Sequence, residues 1–259
     1  MLQTDIQDNG RATVTLTRGE MHNAFDEDLI AALHQAFDSL GRNTDVRCIV
    51  LAAEGKSFSA GADLNWMKRM SANSYEKNMA DARVLADMLH TIAICPKPTI
   101  AAIQGPCYGG GVGLAATCDI AIASEDAAFS LSEVKLGIIP ATIAPYVVAA
   151  MGERMAHRYF VTAERFDARK AYEIGFVHEV VPAAELIEAV DIMVALLLKN
   201  GPAAMAASKD LIFAVANKPV DQNVLDDTAK RIADIRATDA GREGIAAFLE
   251  KRKPSWVEG

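Results

Sequence analysis

The sequence predicts an α/β fold with a largely helical C-terminal third. Short apolar strand patterns alternate with helical patterns through the first half, and helical periodicity takes over after about Pro140. No Pro/Gly/Ser-rich linker divides the two parts, so the helical part is expected to pack on the core or on a neighbour. Taken in order, "RATVTLT" sets Val14 and Leu16 between threonines, the period of a half-buried strand. "DEDLIAALHQAFDSLG" opens at the N-cap candidate Asp26 and carries Leu29, Leu33, Phe37 and Leu40 on one face. That helix is expected to end at Gly41. "VRCIVLAA" is a second strand, and "EGKSFSAGAD" is a loop that opens a helix at about Asp63. A helix over 75–94 is stopped by Pro96. "PTIAAIQG" and "DIAIAS" are short buried strands, with a glycine stretch and a short helix between them. Further helices are expected over 145–151, 153–162, 168–174, 183–198, 203–215, 220–238 and 242–251, with "FVHEVV" alone reading as a strand.

Composition narrows the functional classes. With 51% hydrophobic and 23% charged residues, the 259-residue chain can bury a sizeable core. A formal net charge of −8 argues against nucleic acid or an anionic membrane as partner, while leaving room for a local basic patch on a small anionic ligand. The opening "MLQTDIQDNG" has neither a basic region nor an apolar one, so no signal peptide is expected. No apolar run approaches the about 18 residues of a membrane span. Cys48, Cys95, Cys107 and Cys118 form no CxxC pair and sit in apolar surroundings, the pattern of reduced core thiols in a cytoplasmic protein. The five histidines are scattered without ligand spacing, so no metal site is expected.

The stretch "PCYGGGVGLAATCDI" concentrates glycines at 109, 110, 111 and 113. "GVGLAA" formally fits the dinucleotide fingerprint, but Gly111 lies past Pro106, several residues beyond the strand it should terminate. Glu125 and Asp126 come too early for the acidic residue expected ~20 positions on. A Walker loop fails because no G-K-[ST] follows. A third reading has two instances in the chain. "FSAGADL" and "CYGGGVG" each place small residues after an apolar strand and before a helix, where a free N-terminal N–H can point outward. Two such groups converging on one carbonyl oxygen would make an oxyanion hole. Either loop alone reads as a tight strand-to-helix turn.

"FSAGADL", "GGGVGLAATCDIAIAS" and "LSEVKLGIIP", in this order and spacing, resemble the enoyl-CoA hydratase/isomerase (crotonase) superfamily. The likeness runs from "HNAF" to "FLEKRKPSW", essentially the whole chain. It implies a spiral core of repeated β-β-α units over 1–198 and a helical oligomerisation region over 199–259 that builds homotrimers or homohexamers. The implied substrate is a coenzyme A thioester, with no metal and no separate cofactor. The resemblance assigns the oxyanion donors to the N–H groups of Ala62 and Gly110, within a wall of small residues that includes Gly109 and Gly113. It lays the adenine and pantetheine portion along Ala24, Ala60, Asp63 and Leu64. It makes Glu133 in "SLSEVKLG" the proton-transfer carboxylate, a position that composition alone would leave as a solvated strand-end charge.

Two departures stand out. Typical hydratases of the superfamily carry a second glutamate in G-G-G-x-E, where this chain has Gly113. "IPATIAP" replaces the usual P-G-x-G-G-T, with Thr142 and Ala144 standing where glycines would. The superfamily's Δ3,Δ2-enoyl-CoA isomerases also keep only the later glutamate, so isomerisation rivals hydration, and a non-catalytic acyl-CoA-binding subunit is a third reading. "ADLNWMKRM" and "LSEVKLGIIPATIAPYVV" are most similar to bacterial methylglutaconyl-CoA hydratases of leucine breakdown, with isohexenylglutaconyl-CoA hydratases close to them. Both substrates carry a free carboxylate, for which Gly113 is expected to leave room. Lys68 or Arg69 could pair with that anion or a CoA phosphate, although a solvated helix face is the simpler reading of both.

Overall fold

The computed structural model describes residues 1–257. In chain order the strands are β1 (Leu2–Ile6), β2 (Arg11–Leu16), β3 (Cys48–Ala53), β4 (Thr99–Ile103), β5 (Cys107–Tyr108), β6 (Ile120–Ser124), β7 (Ala128–Ser130), β8 (Phe166–Asp167) and β9 (Glu179–Val181). The helices are α1 (Glu27–Arg42), α2 (Leu64–Met70), α3 (Tyr75–Ala93), α4 (Gly110–Thr117), α5 (Ala144–Thr162), α6 (Ala168–Glu173), α7 (Leu186–Leu198), α8 (Pro202–Val215), α9 (Gln222–Ala237) and α10 (Asp239–Leu249).

A six-stranded sheet runs β1-β2-β3-β4-β6-β9, and a three-stranded sheet runs β5-β7-β8. In the larger sheet only β1 is antiparallel to its neighbour, because a tight turn can return it to β2 while every later strand arrives over a crossover. The central strands are buried on both faces. Ile49 and Leu51 of β3 join the main core beneath α1 and α3, whereas Cys48 and Val50 face Leu186, Val190 and Val194 of α7.

Asp26 caps α1 by accepting the Leu29 N–H, and Leu29, Leu33, Phe37 and Leu40 are buried with Ile30. The helix runs through Gly41 to Arg42 instead of stopping there. At Gly41 a Cβ would meet the Pro96 ring at 3.3 Å and Cys95 Sγ at 3.5 Å, so this glycine serves a close approach. The expected division within 145–162 falls at Gly152, whose φ of 76° and ψ of 155° break α5. Strand β1 was not foreseen because this polar edge strand buries almost nothing, and β5, β7 and β8 are too short to show a period.

The C-terminal helices are tied to the core by polar contacts. Asp119 Oδ2 accepts from the Thr99 N–H, the Thr99 hydroxyl and, at 2.8 Å, the Lys209 ammonium of α8. The Arg47 guanidinium donates to the carbonyls of Leu198, Asn200 and Trp256. All four cysteines are free and buried. Among the described residues no single helix is long and apolar enough to cross a membrane; segments 183–198 and 202–215 reach that length only as a pair bent by 102°.

Candidate active site

Three loops meet where the large and small sheets adjoin. The first, His22–Phe25, contains two consecutive left-handed residues, His22 at φ 52° and Asn23 at φ 50°. Asn23 tolerates this because its buried side chain is fully engaged, accepting from the Arg18 N–H and donating to the carbonyls of Glu54 and Ser57. The second loop, Ser59–Asp63, runs beside it. The Ala60 N–H donates to His22 O at 2.9 Å, the Phe25 N–H to Gly61 O at 2.7 Å and the Asp63 N–H to Phe25 O at 2.7 Å. In a trans peptide N–H and C=O point opposite ways, so anchoring Gly61 O to Phe25 turns the Ala62 N–H away from it.

The third loop leads from β5 into α4. Gly109 sits ahead of the helix at φ 50° and ψ −119°, and its N–H donates to Ser130 O at 2.9 Å. A Cβ on Gly61 would lie 3.0 Å from Tyr108 O and 3.5 Å from the Gly110 nitrogen, so the second and third loops are in direct contact. A Cβ on Gly110 would press on the Phe25 ring at 2.8 Å. Phe25 therefore touches both loops, by backbone bonds on one side of Ala62 and by its ring under Gly110. Among the described residues, neither the Ala62 nor the Gly110 N–H donates to a protein acceptor.

Glu133 opens a 3₁₀ turn, Glu133–Leu136, just after β7. Its Oε1 would lie 3.1 Å from a Cβ on Gly109, and its buried Oε2 has no hydrogen-bond partner among the described residues. Burial pushes this carboxyl above the ordinary glutamate value. A carboxylate that loses solvation without gaining a partner holds its proton more readily, as an acid/base group working near neutrality requires.

The expectation of space at Gly113 is corrected. A Cβ there would meet Ile143 Cγ2 at 2.0 Å and Ile143 Cβ at 2.5 Å, so α4 packs Gly113 directly on a buried isoleucine. The volume that a side chain at 113 would need is filled from "IPATIAP", and no pocket for a substrate anion opens at this Cα. Asp63 is likewise engaged within the fold. Its carboxylate caps α2 through Asn65 and Trp66, its N–H goes to Phe25, and its carbonyl accepts the Met67 N–H. Leu64, in contrast, is 80% exposed beside the loops. The carbonyls of Ala24 and Ala60 accept no hydrogen bond from the described residues. Arg69 is paired with Glu27, donating to both its oxygens at 2.7–2.8 Å, whereas Lys68 is exposed and forms no ion pair among the described residues. Asn23, Phe25 and Ser59 were not singled out from the sequence; "HNAF" and "FSAGADL" contain them, but only long-range hydrogen bonds distinguish them from loop filler.

The architecture and the meeting of these loops are those of a crotonase-fold enzyme. The family described as enoyl-CoA hydratase/isomerase matches residues 7–259. An enoyl-CoA hydratase from Shewanella pealeana of known crystal structure is 46% identical, with a TM-score of 0.96 over 98% of this chain and 95% of that one. A short-chain-enoyl-CoA hydratase of Clostridium acetobutylicum is 31% identical over 251 residues, 96% of this chain and 93% of that protein. An enoyl-CoA hydratase of Alternaria alternata is 35% identical over 258 residues, 98% of this chain and 83% of that protein. The chain belongs to the enoyl-CoA hydratase/isomerase family and is an enzyme of that hydro-lyase and isomerase class.

Proposed function

We propose that this enzyme adds water across the double bond of a branched 2-enoyl-CoA thioester bearing a distal carboxylate, such as 3-methylglutaconyl-CoA, with Glu133 as its one proton-transfer side chain. The buried, unpartnered Glu133 Oε2 carries the reading, since that oxygen is left free for substrate and water. The thioester oxygen lies between the N–H groups of Ala62 and Gly110, which strengthen their bonds as enolate charge gathers on it. Glu133 takes a proton from water as its oxygen bonds to C3, and a proton is delivered to C2 from the same face. One carboxylate can do both because it has two oxygens. The adenine amino group donates to the unengaged carbonyls of Ala24 and Ala60, and Leu64 lies along the pantetheine arm. Gly109 leaves Glu133 clear access to the acyl chain, its Cα standing where a side chain would meet Oε1. The distal carboxylate is favoured by the sequence likeness in "ADLNWMKRM"; Lys68, exposed on α2 and in no ion pair among the described residues, is available to an anion.

A panel of enoyl-CoA thioesters with and without a distal carboxylate tests this directly. Hydration bleaches the absorbance of the conjugated 2-enoyl thioester. Turnover confined to substrates without the carboxylate would overturn the specificity. The second reading, 3-to-2 isomerisation, is favoured by the same single carboxylate and is recognised by the opposite sign, because conjugation is created.

A further inference from the structure

Ser59 is fully buried where the three loops join. Its N–H donates to Pro106 O at 3.3 Å and its carbonyl accepts the Tyr108 N–H at 2.8 Å, which fastens it to the start of the glycine stretch. Its hydroxyl donates to Asn23 O at 2.9 Å and accepts the Gly61 N–H at 3.3 Å. A Cβ on Gly111 would lie 2.8 Å from Ser59 O, 2.9 Å from its Cβ and 3.2 Å from its Oγ, so the first turn of α4 rests on this serine.

The consequence falls on two consecutive peptide planes. The Ala60–Gly61 plane is held by its N–H on Ser59 Oγ, and the Gly61–Ala62 plane by its carbonyl on the Phe25 N–H. Together these bonds set φ and ψ of Gly61, which at φ 88° has no side chain to restrict it. Release of the first plane removes one of the two constraints on Gly61, leaving the Gly61–Ala62 plane, and the Ala62 N–H it carries, to tilt about the Phe25 bond alone. Asn23 O, the other end of the hydroxyl bond, belongs to a residue anchored by three side-chain hydrogen bonds of its own.

We propose that Ser59 is a positioning residue that holds the Ala62 amide in its donor orientation through Gly61 and ties it to the Gly109–Gly111 loop; this rests on the reading of Ala62 and Gly110 as oxyanion donors. The substrate does not touch Ser59. Its loss misaligns a donor that remains present, so the cost is smaller than the about 10²–10³-fold in kcat for deleting an oxyanion donor.

The test compares full-length wild type, Ser59→Ala, Ser59→Gly and Glu133→Gln. Each is mixed with a cinnamoyl-CoA thioester carrying a para-dimethylamino group, whose absorption band moves to the red when the thioester carbonyl is polarised. Wild type and Glu133→Gln are expected to shift the band alike, because Glu133→Gln leaves both donors in place. Ser59→Ala and Ser59→Gly should bind the probe within about threefold of wild type yet lose at least half the shift, with kcat on an accepted substrate down about tenfold and KM nearly unchanged. Either variant decides the matter if the other fails to fold. A full shift with native kcat in a folded Ser59 variant overturns the proposal and leaves the oxyanion reading standing. Absence of any shift in bound wild type and Glu133→Gln overturns both.

Discussion

At the scale of single residues, the behaviour of Glu133 follows from its burial without a partner. Glu133→Gln keeps the shape of the side chain and cannot exchange a proton, so kcat should fall by ~10²–10⁴ while binding of an acyl-CoA product changes little. Single-turnover and equilibrium-binding measurements separate the two; near-native turnover on every accepted substrate would falsify the assignment. The same carboxyl has a folded-state value raised above the ordinary 4.5. The folded protein therefore holds this proton more tightly than the unfolded chain. The stabilisation is complete below the ordinary glutamate range and is lost as pH rises through the raised folded value. Ionised Glu133 is thus a burden on the neutral-pH fold, and Glu133→Gln should raise the melting temperature at pH 7, with the difference shrinking as pH falls towards the glutamate range. A variant less stable than wild type at pH 7 would mean that the carboxylate has a partner. Gly110→Pro is a poorer probe of the neighbouring donor, because any Cβ at 110 presses on the Phe25 ring and would disturb the loop as well as remove the N–H.

At the scale of elements, the contact between α4 and the start of α5 replaces a possible second carboxylate with apolar packing. Gly113→Ala should destabilise by about 1–3 kcal/mol, since its methyl group overlaps Ile143. Ile143→Ala alone should cost about 2–5 kcal/mol as a buried large-to-small change. The double variant should cost less than the sum, because the shortened residue at 143 accommodates the methyl at 113. Urea unfolding of the four proteins measures this coupling, and strict additivity would show that the helices do not meet at this point. The pair also explains why a glutamate cannot simply be restored at 113 in this chain: Ile143 must be reduced first.

At the scale of the whole molecule, the helical tail leaves large apolar side chains in solvent. Ile212, Phe213, Phe248 and Leu249 are more than half exposed, the last two at 82% and 72%. Exposed apolar area of this kind on one region marks an association surface. We therefore expect self-association through residues after Pro202, the homotrimer or homohexamer being what the family resemblance implies, and sedimentation velocity at micromolar concentration should show no monomer. A stable monomer there would remove this role from the tail. The ties from Lys209 and Arg47 to the core keep the tail attached in a single chain, so association need not be what folds it.

The sequence by itself determined the α/β class, the interior strands and most helices, because their apolar periods reflect burial that any packing would preserve. It also marked both small-residue loops by their composition, whereas Glu133 stood out only through the family resemblance, since its local sequence reads as a solvated strand-end charge. It could not reveal β1 or the two- and three-residue strands of the small sheet, where pairing comes from distant backbone and leaves no period. It misread Gly41 as a helix stop and Gly113 as open space, since a glycine looks the same whether it ends a helix or admits a neighbour. Only the tertiary structure decided that Pro96 lies against Gly41 and Ile143 against Gly113. It alone brought Asn23, Phe25 and Ser59 to bear on Ala62 and Gly110, because a loop amide is aimed by hydrogen bonds from segments far along the chain, and no local spacing encodes where those segments come to rest.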